Sequence, residues 1–222
     1  MKVFRILEGD NYGIETHSIS DQIFKILKTE ILHQKFELGE KIETRKLSDK
    51  YEVSVMPVRD ALKKLAKCGL VEKKERVGFF VRSFEPYEIK EIVDVRKMYE
   101  AYCLQKYINN LNKNELENIY NDMLNYQNPP RNEFDRQDKK FHEFIINSSQ
   151  NEFLIKEYSK IEDLIDLVRH LDRDRKKEAL QEHKKIIESI LEEDIQTAVS
   201  LLKNHINNVR DSIIKEYSKT LD

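Results

Sequence analysis

Five glycines and four prolines in 222 residues leave few of the loops from which phosphate cradles are built. No glycine-rich turn is present, which excludes P-loop and Rossmann nucleotide chemistry. With two cysteines, Cys68 and Cys103, there is neither a disulfide framework nor a Cys-x-x-Cys metal pair, and a reducing cytoplasm is the expected location. No run of about 18 apolar residues occurs and no charged-then-apolar leader opens the chain, so neither membrane spanning nor export is expected. Large net charge is missing too. The 39 basic and 41 acidic residues leave −2, so the chain as a whole is not a binder of polyanions. No repeat period or low-complexity tract is visible. The length suits two modest domains, each able to bury a core.

What charge there is divides unevenly. Residues 1–85 carry 17 basic and 14 acidic groups, whereas the remainder carries 22 and 27, a basic head on an acidic body. Within the head, Leu47 to Leu70 (LSDKYEVSVMPVRDALKKLAKCGL) reads as two short helices meeting at a tight turn. Ser54 is placed to cap the second by accepting from the N–H of its third residue, Pro57 falls in the first turn, and Gly69 is the stop. Val58, Leu62, Leu65 and Ala66 share one face of that helix, and Arg59, Lys63, Lys64 and Lys67 fall largely away from it. Two β-prone runs follow, Val71 to Lys74 and Phe79 to Val81, joined through Arg76, Val77 and Gly78 as a hairpin. From Arg59 to Arg76 seven basic residues face three acidic ones, a local excess that suits a polyanion such as DNA. Ahead of this pair, Ser18-Ile19-Ser20-Asp21 is a capping box opening a helix with Ile19, Ile23, Ile26, Leu27 and Ile31 as its stripe.

The order Leu47-Ser48, then Ser54-Val55-Met56-Pro57-Val58-Arg59-Asp60-Ala61-Leu62, then Gly69-Leu70-Val71 and Gly78-Phe79-Phe80-Val81 resembles the GntR family of bacterial winged-helix repressors. The resemblance implies that Arg45, Ser54, Val55, Met56, Arg59 and Gly78 touch double-stranded operator DNA; Lys63, on the outward basic face of the same helix, is expected to meet phosphate. The family usually has arginine where this chain has Val55, and a valine makes no bidentate contact to guanine.

Beyond Pro86 the chain reads as helix throughout, in six segments: Tyr87 to Asn109, Lys113 to Tyr126, Asn132 to Ser148, Asn151 to Leu171, Arg175 to Leu191 and Asp194 to Tyr217. Short links between them predict an antiparallel six-helix bundle. At about 100° per residue, four ionisable groups face inward. Asp138 lies among Phe134, Phe141 and Ile145, with His142 one turn on. His183 sits among Leu180, Ile187 and Ile190, and His205 among Ala198, Leu201, Leu202 and Val209, whereas His170 falls outward. An unpartnered buried carboxylate would cost several kcal/mol, so Asp138 requires a cation nearby, either an arginine or a metal. One carboxylate and three imidazoles suit a divalent transition ion, zinc before nickel or manganese.

Asp138-Lys139-Lys140-Phe141-His142, Glu182-His183 and His205 resemble the signature of FCD, the helical effector domain of the FadR-like GntR branch, and six helices resemble its VanR-type subgroup. The resemblance implies that Asp138, His142, His183 and His205 hold the metal. Asp94-Val95-Arg96-Lys97-Met98-Tyr99-Glu100 looks like the family's VRxxLE element, whose arginine helps bind an organic acid. Arg96 shares a face with Ile89, Ile92, Tyr99 and Cys103, and either pairs with Glu100 at i, i+4 or holds an effector's carboxylate.

The expected architecture is therefore mostly α: an N-terminal arm (1–17), a winged helix-turn-helix (18–84) and an all-α effector and dimerisation domain (85–222). The expected function is a metal-containing regulator, a repressor, that binds a palindromic operator as a homodimer and senses a small carboxylate. A regulator sensing the ion itself is the alternative. A helical metallohydrolase is more remote, because Ile146 stands where a zincin's second histidine belongs, and Lys139, Leu180 and Leu202 precede the histidines where a di-iron bundle needs glutamate.

Overall fold

The computed structural model describes residues 18–125, 130–169 and 175–219; the expected arm and the outward His170 lie outside them. The head opens with α1 (Ile19–Leu32), and the capping box forms as read: Ser18 Oγ accepts from Asp21 N at 3.2 Å while Asp21 Oδ2 accepts from Ser18 N at 3.3 Å. Ile23, Leu27 and Ile31 face the core, but Ile19 and Ile26 point outward, so the buried stripe is narrower than the periodicity suggested. The helix-turn-helix pair is α2 (Thr44–Lys50) and α3 (Val55–Lys67). Ser54 does occupy the N-cap of α3, yet its side chain makes no capping bond. The reason is local: the third helical residue is Pro57, which has no N–H to offer.

The wing is β2 (Val71–Lys74) against β3 (Gly78–Val81), and β1 (Lys41–Ile42) adds an unanticipated third strand in the antiparallel order β1-β3-β2. Ile42 pairs with Phe79, and Val71 with Val81, which puts the sheet's apolar side on the fully buried Leu62 and Leu65 of α3 and Leu27 and Ile31 of α1. Each such side chain contributes roughly 1.5–3 kcal/mol by leaving water.

The body consists of α4 (Pro86–Tyr107), α5 (Lys113–Asn125), α6 (Arg131–Asn147), α7 (Glu152–Val168), α8 (Lys176–Leu191) and α9 (Ile195–Lys219), with one 3₁₀ turn after α4. Helix α4 is central, packing on α9, α7 and α6, while α8 lies along α9 and α5 bridges α8 and α6. Helix α7 also meets the head. Lys28 Nζ of α1 lies 2.6 Å from an Asp163 oxygen, and the stop residue Gly69 (φ +75°) faces Leu164 so closely that a Cβ there would stand 3.3 Å from Leu164 Cδ2. The positive φ and the tight contact both favour glycine at this position.

Candidate functional site

Helical spacing carries the first half of the site. Asp138 and His142 lie one turn apart on the inner face of α6, where i, i+4 side chains are neighbours. His183 comes from α8 and His205 from α9, the two helices that pack along each other. All four are buried, none more than 5% exposed. One ligand atom from each falls within 4.8 Å of the others. His183 Nε2 lies 3.1 Å from His205 Nε2 and 3.5 Å from Asp138 Oδ1, and His142 Nε2 lies 3.8 Å from that same oxygen. Phe141 closes one side, its ring centroid 4.8 Å from that of His183.

The outer atoms decide which nitrogens are free. His142 Nδ1–H donates to Glu100 Oε2 at 2.6 Å and His205 Nδ1–H donates to Glu182 Oε2 at 2.8 Å. Burial alone would raise both glutamates, but Arg96 and His142 around Glu100, and His205, Arg175 and Asn208 around Glu182, bring each down to about 2. As ionised carboxylates they only accept, so each histidine carries its proton on Nδ1 and turns a bare Nε2 lone pair inward. His142 Nε2 and His183 Nδ1 find no hydrogen-bond partner. Such buried orphans cost about 1–3 kcal/mol each. A cation among the three Nε2 atoms and Asp138 Oδ1 would satisfy His142 Nε2 and replace the hydrogen bond between His183 and His205, so the donor set fits a metal ion.

Asp138 also has the arginine that the charge argument required. Arg169 Nη1 stands 2.9 Å from its Oδ2, as an ion pair without hydrogen-bond alignment. Burial works to raise the Asp138 carboxyl, but Arg169, His142 and His183 hold it far below the ordinary range. Arg96 makes the i, i+4 pair, donating from Nε to Glu100 Oε1 at 2.7 Å, with Tyr158 O–H donating to the same oxygen at 2.7 Å. Sequence reasoning named Glu100 only as a possible partner of Arg96 and missed Tyr158 and Arg169 altogether. The i, i+4 spacing was the one available signal; the other two arrive from α7 through tertiary packing.

Burial pushes His183 well below its usual pKa, aided by His205, and brings His205 to about 4 from 6.5. In the unfolded chain these rings take up protons near 6.5. Between that value and about 4 the unfolded state therefore holds more protons, so stability is complete above pH 6.5 and falls as pH drops. At about 1.36 kcal/mol per unit, His205 alone accounts for roughly 3 kcal/mol. Urea midpoints of the metal-free chain in chelator should fall from pH 7 to pH 4.5, and equal midpoints would contradict the burial of the rings.

On the head, Arg45, Ser54, Val55, Met56, Arg59 and Lys63 are all exposed. Lys63 pairs with Asp60 at 2.9 Å, an exposed contact worth little. A cleft of about 300 Å³ separates α3 from the wing, lined by Val55, Arg59, Lys73, Lys74, Arg76 and Gly78 among others. Met56 is 73% exposed at the open end of α3.

Residues 19–81 match the family described as "Bacterial regulatory proteins, gntR family", and residues 91–208 match the FCD domain. The uncharacterized HTH-type transcriptional regulator YdhC of Bacillus subtilis (strain 168) is 27% identical over 195 residues, 84% of this chain and 87% of that protein. The HTH-type transcriptional repressor RspR of Escherichia coli (strain K12) is 19% identical over 205 residues, 89% and 90% of the two chains. Among solved structures, the Zn2+-bound FCD domain of TM0439 is 36% identical at a TM-score of 0.57, covering 60% of this chain and 96% of that one. A GntR regulator from Rhodococcus sp. RHA1 shares the fold at a TM-score of 0.76 with 17% identity, over 88% and 97% of the chains.

Proposed function

From the premise that this chain belongs to the GntR family and carries its FCD domain, we propose a metal-containing repressor that grips a palindromic operator as a homodimer and changes its grip when a small organic acid binds. The family is one of transcriptional regulators, not enzymes. The units we assign are an arm at 1–17, the reading head at 18–84 and the sensing and dimerising body at 85–222.

The observation that carries the sensor half is the convergence of Asp138, His142, His183 and His205 within 4.8 Å, with outer carboxylates turning the lone pairs inward. Zinc is the ion we favour, since tetrahedral nitrogen and oxygen sites suit it and TM0439 holds it in the same domain. Nickel and manganese fit the same ligands less well. Metal analysis of the natively purified chain should return about one zinc per chain, and a chain that takes up no divalent ion even when offered it would end this half.

For the reading half, Arg59 lies beside the wing cleft and Lys63 one turn further along α3. Val55 and Met56 open α3 with apolar side chains, which suits contact with thymine methyl groups rather than guanine. A two-fold dimer places two such helices on half-sites about one helical turn, roughly 34 Å, apart. Arg59→Ala should cost about 1–3 kcal/mol on the selected operator and blur its sequence preference. Lys63→Ala should weaken all sequences alike and reduce the salt dependence. Electrophoretic titration on operator and scrambled duplex checks both, and an equal loss on both duplexes for Arg59→Ala would refute its role in base reading.

One observation favours the ion-only sensor. Arg96 Nε is already committed to Glu100, and the residue is 3% exposed. Mass spectrometry of small molecules released from the natively purified protein separates the readings: a stoichiometric organic acid supports the effector, its consistent absence the ion alone.

A further inference from the structure

No ligand of the proposed metal centre comes from α4, the helix that packs on α6, α7 and α9, yet one α4 side chain reaches it. Glu100 is fully buried at 0% exposure, and its two oxygens serve three donors from three helices. Oε1 accepts from Arg96 Nε and from Tyr158 O–H, both at 2.7 Å, and Oε2 accepts from His142 Nδ1–H at 2.6 Å. We infer that Glu100 is a positioning residue of the metal centre, which fixes the tautomer and aim of His142 and thereby ties α4, with Arg96, to the ion. The inference rests on the metal reading proposed above.

The competing account makes Glu100 a counter-ion for Arg96 and nothing more. The geometry argues against it, because an ion pair with Arg96 needs only Oε1, and the other oxygen is turned to the imidazole at the shorter distance. Without an acceptor at Nδ1 the ring of His142 gains nothing from keeping its proton there, and the bare Nε2 facing Asp138 Oδ1 is no longer enforced. An ionised acceptor also makes the imidazole a better electron donor at its far nitrogen. His205 has its own carboxylate in Glu182, whereas His183 Nδ1 has no partner, so two of the three imidazoles are oriented from outside. Of those two supports, Glu100 alone is also bonded to Arg96 and Tyr158, so a change at the ion reaches α4 through this carboxylate, and α7 both through it and through the Asp138–Arg169 pair.

The test uses Co2+ as the probe on the full chain, following its visible absorption in competition with a chelator. Glu100→Gln should weaken Co2+ binding about 10–100-fold, with altered absorption bands at saturation. Because that change leaves Arg96 buried without its counter-charge, the double variant Arg96→Met, Glu100→Gln is measured beside it. The double variant should keep its fold by circular dichroism and keep the Co2+ defect. Recovery of wild-type affinity and bands in the double variant would overturn the inference, because Glu100 would then matter only to Arg96. Unchanged affinity in Glu100→Gln would overturn it as well. A wild-type chain that takes up no Co2+ at all would refute the metal reading itself, a result distinct from both.

Discussion

Zinc supplied at a thousandfold excess over its dissociation constant is expected to stabilise the folded chain by about 4 kcal/mol, less whatever the unfolded chain binds. The same addition should do nothing for His183→Leu. The contrast follows from what the four inward groups do without an ion. His142 Nε2 is buried without a partner, and His183 Nε2–H donates to His205 Nε2 at 3.1 Å, which leaves His183 Nδ1 without a partner as well. In metal-free protein the centre is therefore an internal cost, and leucine at 183, beside Phe141, removes the unpartnered Nδ1 while it takes the partner of His205 Nε2 away. One orphan is exchanged for another, so metal-free His183→Leu should lie close to the metal-free wild type in stability, while its zinc response disappears. Thermal melts of both chains with zinc and with chelator give all four numbers. A full zinc response in His183→Leu would remove that residue from the centre, and a metal-free variant several kcal/mol weaker than wild type would show the imidazole to be a satisfied core group.

Arg169→Met is expected to cost the metal-free chain about 3–5 kcal/mol, the usual consequence of removing one partner from a buried pair. Arg169 is 8% exposed and lies 2.9 Å from Asp138, 3.3 Å from Asp135 and 3.4 Å from Asp166. Asp138 is the partner that suffers, because its other oxygen faces only imidazole nitrogens. Zinc should return part of the loss, since the ion supplies the charge that the arginine gave. The zinc-induced rise in melting temperature should therefore be larger in Arg169→Met than in wild type. Urea denaturation with and without chelator measures both effects, and a loss below about 1 kcal/mol would mean that Asp138 is compensated elsewhere.

These two residues also mark how far sequence reasoning reaches. Asp138 was legible because a carboxylate among Phe134, Phe141 and Ile145 violates the pattern of its own helix, and the same local rule exposed the three histidines. That a cation must stand near Asp138 followed from the energy of burial. That Arg169 supplies it did not, because Arg169 caps α7 and reaches α6 through packing between helices. Glu100 lies 42 positions from His142, and no periodicity relates them. The six body helices followed from apolar spacing and asparagine-, proline- and aspartate-marked links, whereas β1 escaped because a two-residue strand has no period to detect. Ser54 shows the opposite failure. Its type and place suggested a capping bond, and the proline three residues on removed the donor that bond needed. In the head, the capping box of α1 succeeded because Ser18 and Asp21 satisfy each other without outside help.

The charges enclosed around the proposed ion already cancel. Arg96 and Arg169 stand against Glu100 and Asp138, and burial keeps the His183 and His205 rings neutral near pH 7. A doubly charged cation entering this balanced centre would add positive charge that the enclosed pairs do not offset, and with those two rings uncharged they have no proton to expel in exchange. A coordination position added beyond the four protein ligands would then draw in an anion from solution. Such a chain would become a receptor for acids only after it had become a metalloprotein, so starving a cell of the ion and starving it of the acid would leave the same mark on the operator.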